Sequence, residues 1–184
     1  MSADLQLQAA RVAQGDRAAF RTIVQHTQVP LLRLASRLLG DSAEAEDVLQ
    51  EAYVKAFRAL AADRFSGDAK LETWLYRVVT NAALDHMRRR RPKEKSVSEL
   101  PEPQVDGAGS AEARMALREL DHWLKDLTPD QRAVVVLKAI EGMTTPEAAQ
   151  VLACSEGAVE QRLVRARATL RERRDATSNR DPSP

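Results

Sequence analysis

A single cysteine, Cys154, in 184 residues rules out an intramolecular disulfide framework and any multi-cysteine zinc site. The histidines, His26, His86 and His122, stand far apart, so no structural metal or other cofactor is expected. Aromatic residues make up 4% of the chain and glycine only 7 positions, which argues against a β-sandwich or barrel. No apolar run approaches the ~20 residues needed to span a bilayer, and the start MSADLQLQ lacks the basic and apolar segments of a signal peptide. The expectation is a soluble, cytoplasmic protein. There is no phosphate-binding glycine loop, and no nucleophile, base and orienting group can be assembled from the motifs, so a hydrolase is the weakest reading. What is abundant is Ala, Leu, Arg and Glu, with 43% hydrophobic and 30% charged residues, a usage that favours helices around a buried core.

The near-zero net charge of +1 hides blocks of opposite sign. Arg88, Arg89, Arg90, Arg91, Lys93 and Lys95 form one basic run, and Arg162, Arg165, Arg167, Arg171, Arg173 and Arg174 form another along the last helix. Between them lie Glu99, Glu102, Asp106 and Glu112. Two basic clusters on an acidic tether suggest two modules touching one extended polyanion. Each cluster taken alone is equally a solvated helix end, since cations there complement the helix dipole.

The segment VSELPEPQVDGAGS, 97–110, carries prolines and glycines and no helical or alternating period, and reads as a linker. With Pro92 stopping the preceding helix, about 20 residues at about 3.3 Å each span up to ~60 Å, so the flanking modules can reach separate sites. The organisation expected is a helical domain over 1–92, a linker over 93–111, a second helical domain over 112–175 and a frayed tail over 176–184.

In the first module Asp16 caps a helix running to Leu39, ended by Gly40 and kinked or split at Pro30. Asp41 and Glu44 at capping-box spacing open the next, whose apolar set is Val48, Leu49, Ala52, Tyr53, Ala56, Phe57 and Leu60. Its other face carries Asp47, Gln50, Glu51, Lys55 and Arg58. Asp47, Gln50 and Glu51 share one side, as a solvated face or as a docking surface for a basic partner. A third helix, 71–90, buries Leu71, Trp74, Leu75, Val78, Val79, Ala82 and Met87 and turns Thr73, Arg77, Thr80, Asn81, Asp85 and Arg88 outward. Phe65, in the polar loop before it, needs a core pocket or a ligand. Phe65, Trp74 and Tyr76 beside Arg77 and the basic run resemble a platform for single-stranded nucleic acid, although Trp74 also fits the core period.

In the second module a helix passes Leu117, Leu120, Trp123 and Leu124, and Thr128 with Pro129 opens another. Thr145 with Pro146 opens a short helix to Leu152, and Ser155 opens a long one at Glu156. A short helix, a tight turn and a longer helix, with Ala149, Val151 and Leu152 facing Val159 and Leu163, make a helix-turn-helix pattern, a spacing that a generic three-helix bundle shares. In that geometry Glu160, Gln161, Val164 and Arg165 meet base edges, while Arg162, Arg167 and the cap around Ser155 meet phosphate.

AEDVLQEAYVKAF (45–57), FSGDAKLETWLYRVVTNAALDHMRRRR (65–91) and LTPDQRAVVVLKAIEGMTTPEAAQVLACSEGAVEQRLVRARATLR (127–171) together resemble bacterial extracytoplasmic-function (group 4) sigma factors of RNA polymerase, in the right order over both modules. The resemblance implies an all-α protein of two small helical domains joined by a flexible linker. It implies that Asp47, Gln50 and Glu51 dock on the β′ clamp helices of core RNA polymerase, with the β flap a further partner. Phe65, Ser66, Gly67 and Asp68, with Asn81, match the pocket for a base flipped out of the minus-10 element. Trp74, Tyr76, Arg77, Asp85 and Arg88 fall in the promoter-melting helix. Glu160, Gln161, Val164 and Arg165 match the minus-35 readers, and Arg162 and Arg167 backbone contacts. The acidic linker matches the segment that threads toward the active-site cleft, and an anti-sigma factor is implied as regulator. Two positions depart from the pattern. Glu160 stands where relatives often carry Lys or Arg, so it reads a base or is held by a neighbouring arginine, and Ala153 stands where the turn often has glycine, at a cost of about 1 kcal/mol if it is left-handed. The rival readings are a stand-alone helix-turn-helix regulator and a helical adaptor; the first leaves the DVLQE face and the Phe65 loop unexplained, and the arginine-rich last helix argues against the second.

Overall fold

The computed structural model describes residues 2–89 and 122–178, with side chains over 4–89 and 122–176. The expected linker over 93–111, Leu117, Leu120, the basic residues Arg90, Arg91, Lys93 and Lys95, the acidic residues Glu99, Glu102, Asp106 and Glu112, and positions 179–184 lie outside the described residues. The described residues are helices joined by short turns, with no strand among them.

Helix α1 (Ser2–Ala13) buries Leu5, Gln8, Ala9 and Val12 on one stripe. Helix α2 (Arg17–Leu39) begins at Asp16, whose Oδ1 accepts from the backbone N–H of Ala18 and Ala19 at 2.9 and 3.2 Å. The Arg11 guanidinium on its Oδ2, together with those amides, holds the Asp16 carboxyl below the usual carboxylate range. Pro30 neither splits nor ends α2. The helix passes through it because both flanking turns bury a continuous stripe, Ile23, Thr27, Leu31, Leu34 and Leu38, against α3 and α4. Gly40 closes α2 with φ 70°, its N–H donating to the carbonyl of Ser36.

Helix α3 (Ser42–Ala61) is capped by Asp41, which accepts from the Glu44 N–H at 3.0 Å. It buries Ala45, Val48, Leu49, Ala52, Ala56 and Leu60. Tyr53 and Phe57 are half-buried and meet Phe20 edge-on, and the Tyr53 hydroxyl pairs with that of Thr27 at 2.8 Å. Helix α4 (Leu71–Arg89) packs against α2 and α3, and also against the second half of the chain. Trp74, Val78 and Met87 are half-buried rather than core. Thr80, expected outward, is fully buried, and its Oγ1 has no hydrogen-bond partner among the described residues. Tyr76, one turn earlier on the same face, reaches Glu141 of the second module.

In the second module, where Leu124 and Leu127 are already buried, α5 (Pro129–Val135) is capped by Thr128 in a reciprocal capping box with Gln131. The helix then widens into a π-helical segment, Val136–Ile140. Helix α6 (Thr145–Leu152) opens at Thr145 with Pro146, as expected, and is capped by Thr144, again with a capping box, to Glu147. The Thr144 hydroxyl and N–H on Glu147 hold that carboxyl below its ordinary range. Helix α7 (Glu156–Ser178) starts after Ser155, whose Oγ accepts from the Ala158 N–H at 3.2 Å.

Between α6 and α7, Ala153 has φ 49° and ψ 45°, a left-handed residue with an exposed side chain. A non-glycine residue there costs about 1–2 kcal/mol, while glycine would add about 0.5–1 kcal/mol of unfolded-state entropy. Ala153→Gly is therefore expected to stabilise the chain by about 0.5–1 kcal/mol in a urea titration. A loss of stability would mean that the Ala153 methyl makes packing interactions that outweigh the strain.

Candidate nucleic-acid interface

Helix α3 turns Asp47, Gln50, Glu51, Lys55 and Arg58 to solvent on one side, as their spacing predicts. Val54, 49% exposed, lies in the same stripe. Its place three residues after Glu51 is the signal that marks it in the sequence, and it gives the charged face an apolar centre. The face is acidic toward the N-terminal half of α3 and basic toward its end.

In the loop before α4, Phe65 packs against Trp74 with ring centroids 5.3 Å apart and planes tilted by 57°, and both rings remain half-exposed. Phe65 and Gly67 also border a cavity of about 210 Å³ whose other wall is α1, at Gln6, Ala9, Ala10 and Ala13. Gln6 donates its side-chain N–H to the carbonyl of Ala69 at 3.3 Å and ties this loop to α1. No local signal marks Gln6, because its partner lies far along the chain. Ser66, Gly67 and Asp68 are exposed, as are Arg77, Asn81 and Asp85 on α4. Asn81 sits two turns beyond Trp74 on the same side.

In the helix-turn-helix, Ala149, Val151, Val159 and Leu163 are buried and Leu152 is partly so, as the pattern requires. Glu160, Gln161, Val164, Arg165 and Arg167 are all exposed, and Val164 is the most exposed of the large hydrophobic residues, at 63%. Arg162 is half-buried, donating to Cys154 Sγ at 3.7 Å and approaching Asp130 at 3.7 Å. Glu160 is held by the Thr145 hydroxyl at 2.7 Å, not by an arginine. Among the described residues no group of His, Cys, Asp and Glu could hold a metal ion, and no helix is long and apolar enough to cross a membrane.

The two modules pack together through polar contacts that no short-range motif announces. Arg132, buried, donates to the carbonyls of Leu124 and of Leu38, both at 2.8 Å, and so caps the end of α2 from the second module. Glu141 accepts from Arg37 at 2.6 Å and from the Tyr76 hydroxyl at 3.0 Å. Asp130 receives Arg88 of α4 at 3.1 Å as well as Arg162 of α7. Tyr76 is thus turned to the second module, away from the Arg77 and Asn81 side.

Burial, and then the adjacent Glu141 carboxylate, push the Tyr76 phenol well above its ordinary value of 10.0. A raised pKa adds stability that is complete below the unfolded-state value and lost as pH climbs through the folded one. The stability advantage of the wild-type chain over Tyr76→Phe is therefore expected to hold at about pH 8 and to shrink from about pH 10 upward, read by denaturant titration. A difference constant to about pH 11 would contradict the Tyr76–Glu141 contact.

Comparison with known proteins adds to this geometry. Residues 23–93 match Sigma-70 region 2, and residues 117–170 match Sigma-70, region 4. The chain is 36% identical over 167 residues to the ECF RNA polymerase sigma factor SigM of Mycobacterium tuberculosis, covering 91% of this chain and 82% of the relative. It is similar to CnrH in the solved complex with the cytosolic domain of CnrY, with a TM-score of 0.68 and 34% identity over 94% of this chain and 98% of that one. It is also similar to the sigma factor RpoE of Bartonella quintana, solved with the anti-sigma factor NepR, with a TM-score of 0.65 and 25% identity over 83% and 94% of the two chains.

Proposed function

Since the chain belongs to the ECF sigma factors of the sigma-70 family, we propose that it binds core RNA polymerase and directs it to promoters carrying two spaced elements. It acts by binding, with no catalytic step of its own. The observation that carries this reading is the outward presentation of Glu160, Gln161, Val164 and Arg165 on α7, with the Asp47, Gln50 and Glu51 face of α3 equally free. Asp47, Gln50 and Glu51, with Val54 at their centre, dock on the basic clamp helices of β′, and the second module meets the β flap.

Duplex minus-35 DNA is read from the major groove. Arg165 suits guanine, Gln161 adenine and Val164 the thymine methyl, while Arg162, Arg167 and the α7 start at Ser155 take phosphate. At minus-10, a base leaves the stack for the pocket of Phe65, Ser66, Gly67 and Asp68 with Asn81, and the strand passes Trp74, Arg77, Asp85 and Arg88. Extrusion costs a few kcal/mol, which an aromatic-walled pocket helps offset without ATP hydrolysis.

Asp130 holds one arginine from each DNA-contacting helix, and Glu141 holds Tyr76. The packed arrangement is therefore a resting state, and the modules separate on the linker when polymerase and DNA take over these side chains. An anti-sigma factor regulates the protein, as the complexes of the similar sigma factors support.

Run-off transcription tests the function. Core polymerase with this protein and fragmented genomic DNA of the source is expected to give discrete new starts that share two spaced motifs and are absent with core alone. Duplex binding without new starts would instead indicate a stand-alone regulator.

A further inference from the structure

The recognition helix carries an acidic residue among its base-facing positions, and that residue is not free. Thr145 Oγ donates to Glu160 Oε1 at 2.7 Å, and the same hydroxyl accepts from Lys138 Nζ at 3.1 Å. A hydroxyl has one proton to give. The ammonium of Lys138, a donor only, occupies a lone pair of the oxygen and leaves the proton for Glu160. The relay Lys138 to Thr145 to Glu160 thus runs in one direction and polarises the bond that holds the carboxylate. Lys138 sits in the π-helical segment, Thr145 on the first turn of α6 and Glu160 on α7, so three consecutive elements of the second module converge on one carboxylate.

We propose that Thr145 is a positioning residue for promoter specificity: it fixes Glu160 so that Oε2 accepts from the N4 amino group of a cytosine in the minus-35 duplex. The inference rests on the minus-35 reading of α7 given above. A carboxylate only accepts hydrogen bonds, so it is repelled by the acceptors of guanine and by thymine O4 and suits an exocyclic amine, of which cytosine N4 is the usual partner of an acid. A free glutamate on an exposed helix would lose rotamer freedom on binding and could swing away from a wrong base. Tied at Oε1 it does neither, and a guanine or thymine then leaves the acid facing an acceptor. Thr145 itself is half-buried behind Glu160 and acts through it.

The test is transcription by reconstituted holoenzyme from a promoter library randomised across the minus-35 element, with Thr145→Val, Thr145→Ser, Glu160→Ala and wild type. Wild type is expected to favour cytosine at one position. Thr145→Val is expected to reduce that preference by about five- to tenfold, the order of one charge-assisted hydrogen bond, and to leave the other minus-35 positions as they were. Thr145→Ser, which keeps the hydroxyl, is expected to restore it. Those unaltered positions show that Thr145→Val is folded and docked. If Glu160→Ala erases the preference and Thr145→Val keeps it within about twofold, the positioning role is overturned while Glu160 remains a base reader. If Glu160→Ala alters no position, Glu160 does not read a base and the inference fails with that assignment. If wild-type holoenzyme starts from no member of the library, it is the sigma-factor function that fails.

Discussion

Asp47→Arg combined with Glu51→Arg is expected to abolish transcription through loss of polymerase binding while the chain stays folded. Both side chains are exposed on α3, and surface substitutions of this kind usually move stability by no more than about 0.5 kcal/mol. Among the described residues neither side chain has a hydrogen bond or ion pair that the change would break. At the interface the consequence is different. Two carboxylates that attract a basic helix become two cations that repel it, and like charges brought together cost several kcal/mol. A loss of affinity of at least about a hundredfold follows, at roughly 1.4 kcal/mol per tenfold. Fluorescence anisotropy with labelled core polymerase measures it, and a circular dichroism melt of the free variant controls for folding. Unaltered affinity in a folded variant would remove α3 from the docking surface.

The exposure of this α3 face was readable in the sequence because everything that builds it is local. Helical period places Asp47, Gln50 and Glu51 on the side opposite Val48, Leu49 and Ala52, and no distant contact intervenes. The same is true of the helix ends. Asp16, Gly40, Asp41, Thr128 with Pro129 and Ser155 act within a turn of themselves, and the structure finds each at its terminus. The outward set of the recognition helix is legible for the same reason, since Val159 and Leu163 leave Glu160, Gln161 and Val164 only one direction.

What could not be read is what depends on the other module. Thr80 has a polar side chain at an outward phase of α4 and is nevertheless fully buried, on a helix that packs against the second half of the chain as well as against α2 and α3. Tyr76 reads as one more aromatic ring beside a basic run, while its hydroxyl is committed to an acid 65 residues away. The Thr144–Thr145 ambiguity is of another kind. Thr144 and Thr145 both precede Pro146, and Glu147 fixes which one caps, because the capping box sets its acid three positions after the cap, with two residues between them. That leaves the Thr145 hydroxyl available for Glu160.

Glu141→Ala is expected to have the opposite effect from the α3 reversal: to loosen the free protein and tighten its hold on polymerase. The Glu141 side chain is 12% exposed, and both of its hydrogen-bond partners, Arg37 and Tyr76, belong to the first module. Truncation removes two charge-assisted bonds across the contact and leaves the half-buried Tyr76 hydroxyl and the Arg37 guanidinium without this acceptor. Such a loss is worth about 2 kcal/mol, below the cost of breaking a fully buried pair because Arg37 still reaches water. The closed population relative to the open one then falls by about 30-fold. If docking needs the open state, apparent affinity for polymerase is the intrinsic affinity reduced by the open fraction, and the variant gains up to that factor. Energy transfer between labels on α2 and α7 reads the separation, and anisotropy with core polymerase reads the affinity. Separation without any gain in affinity would show that polymerase accepts the closed form, and Asp130 and Glu141 would then be ordinary packing contacts rather than restraints on the opening of the two modules.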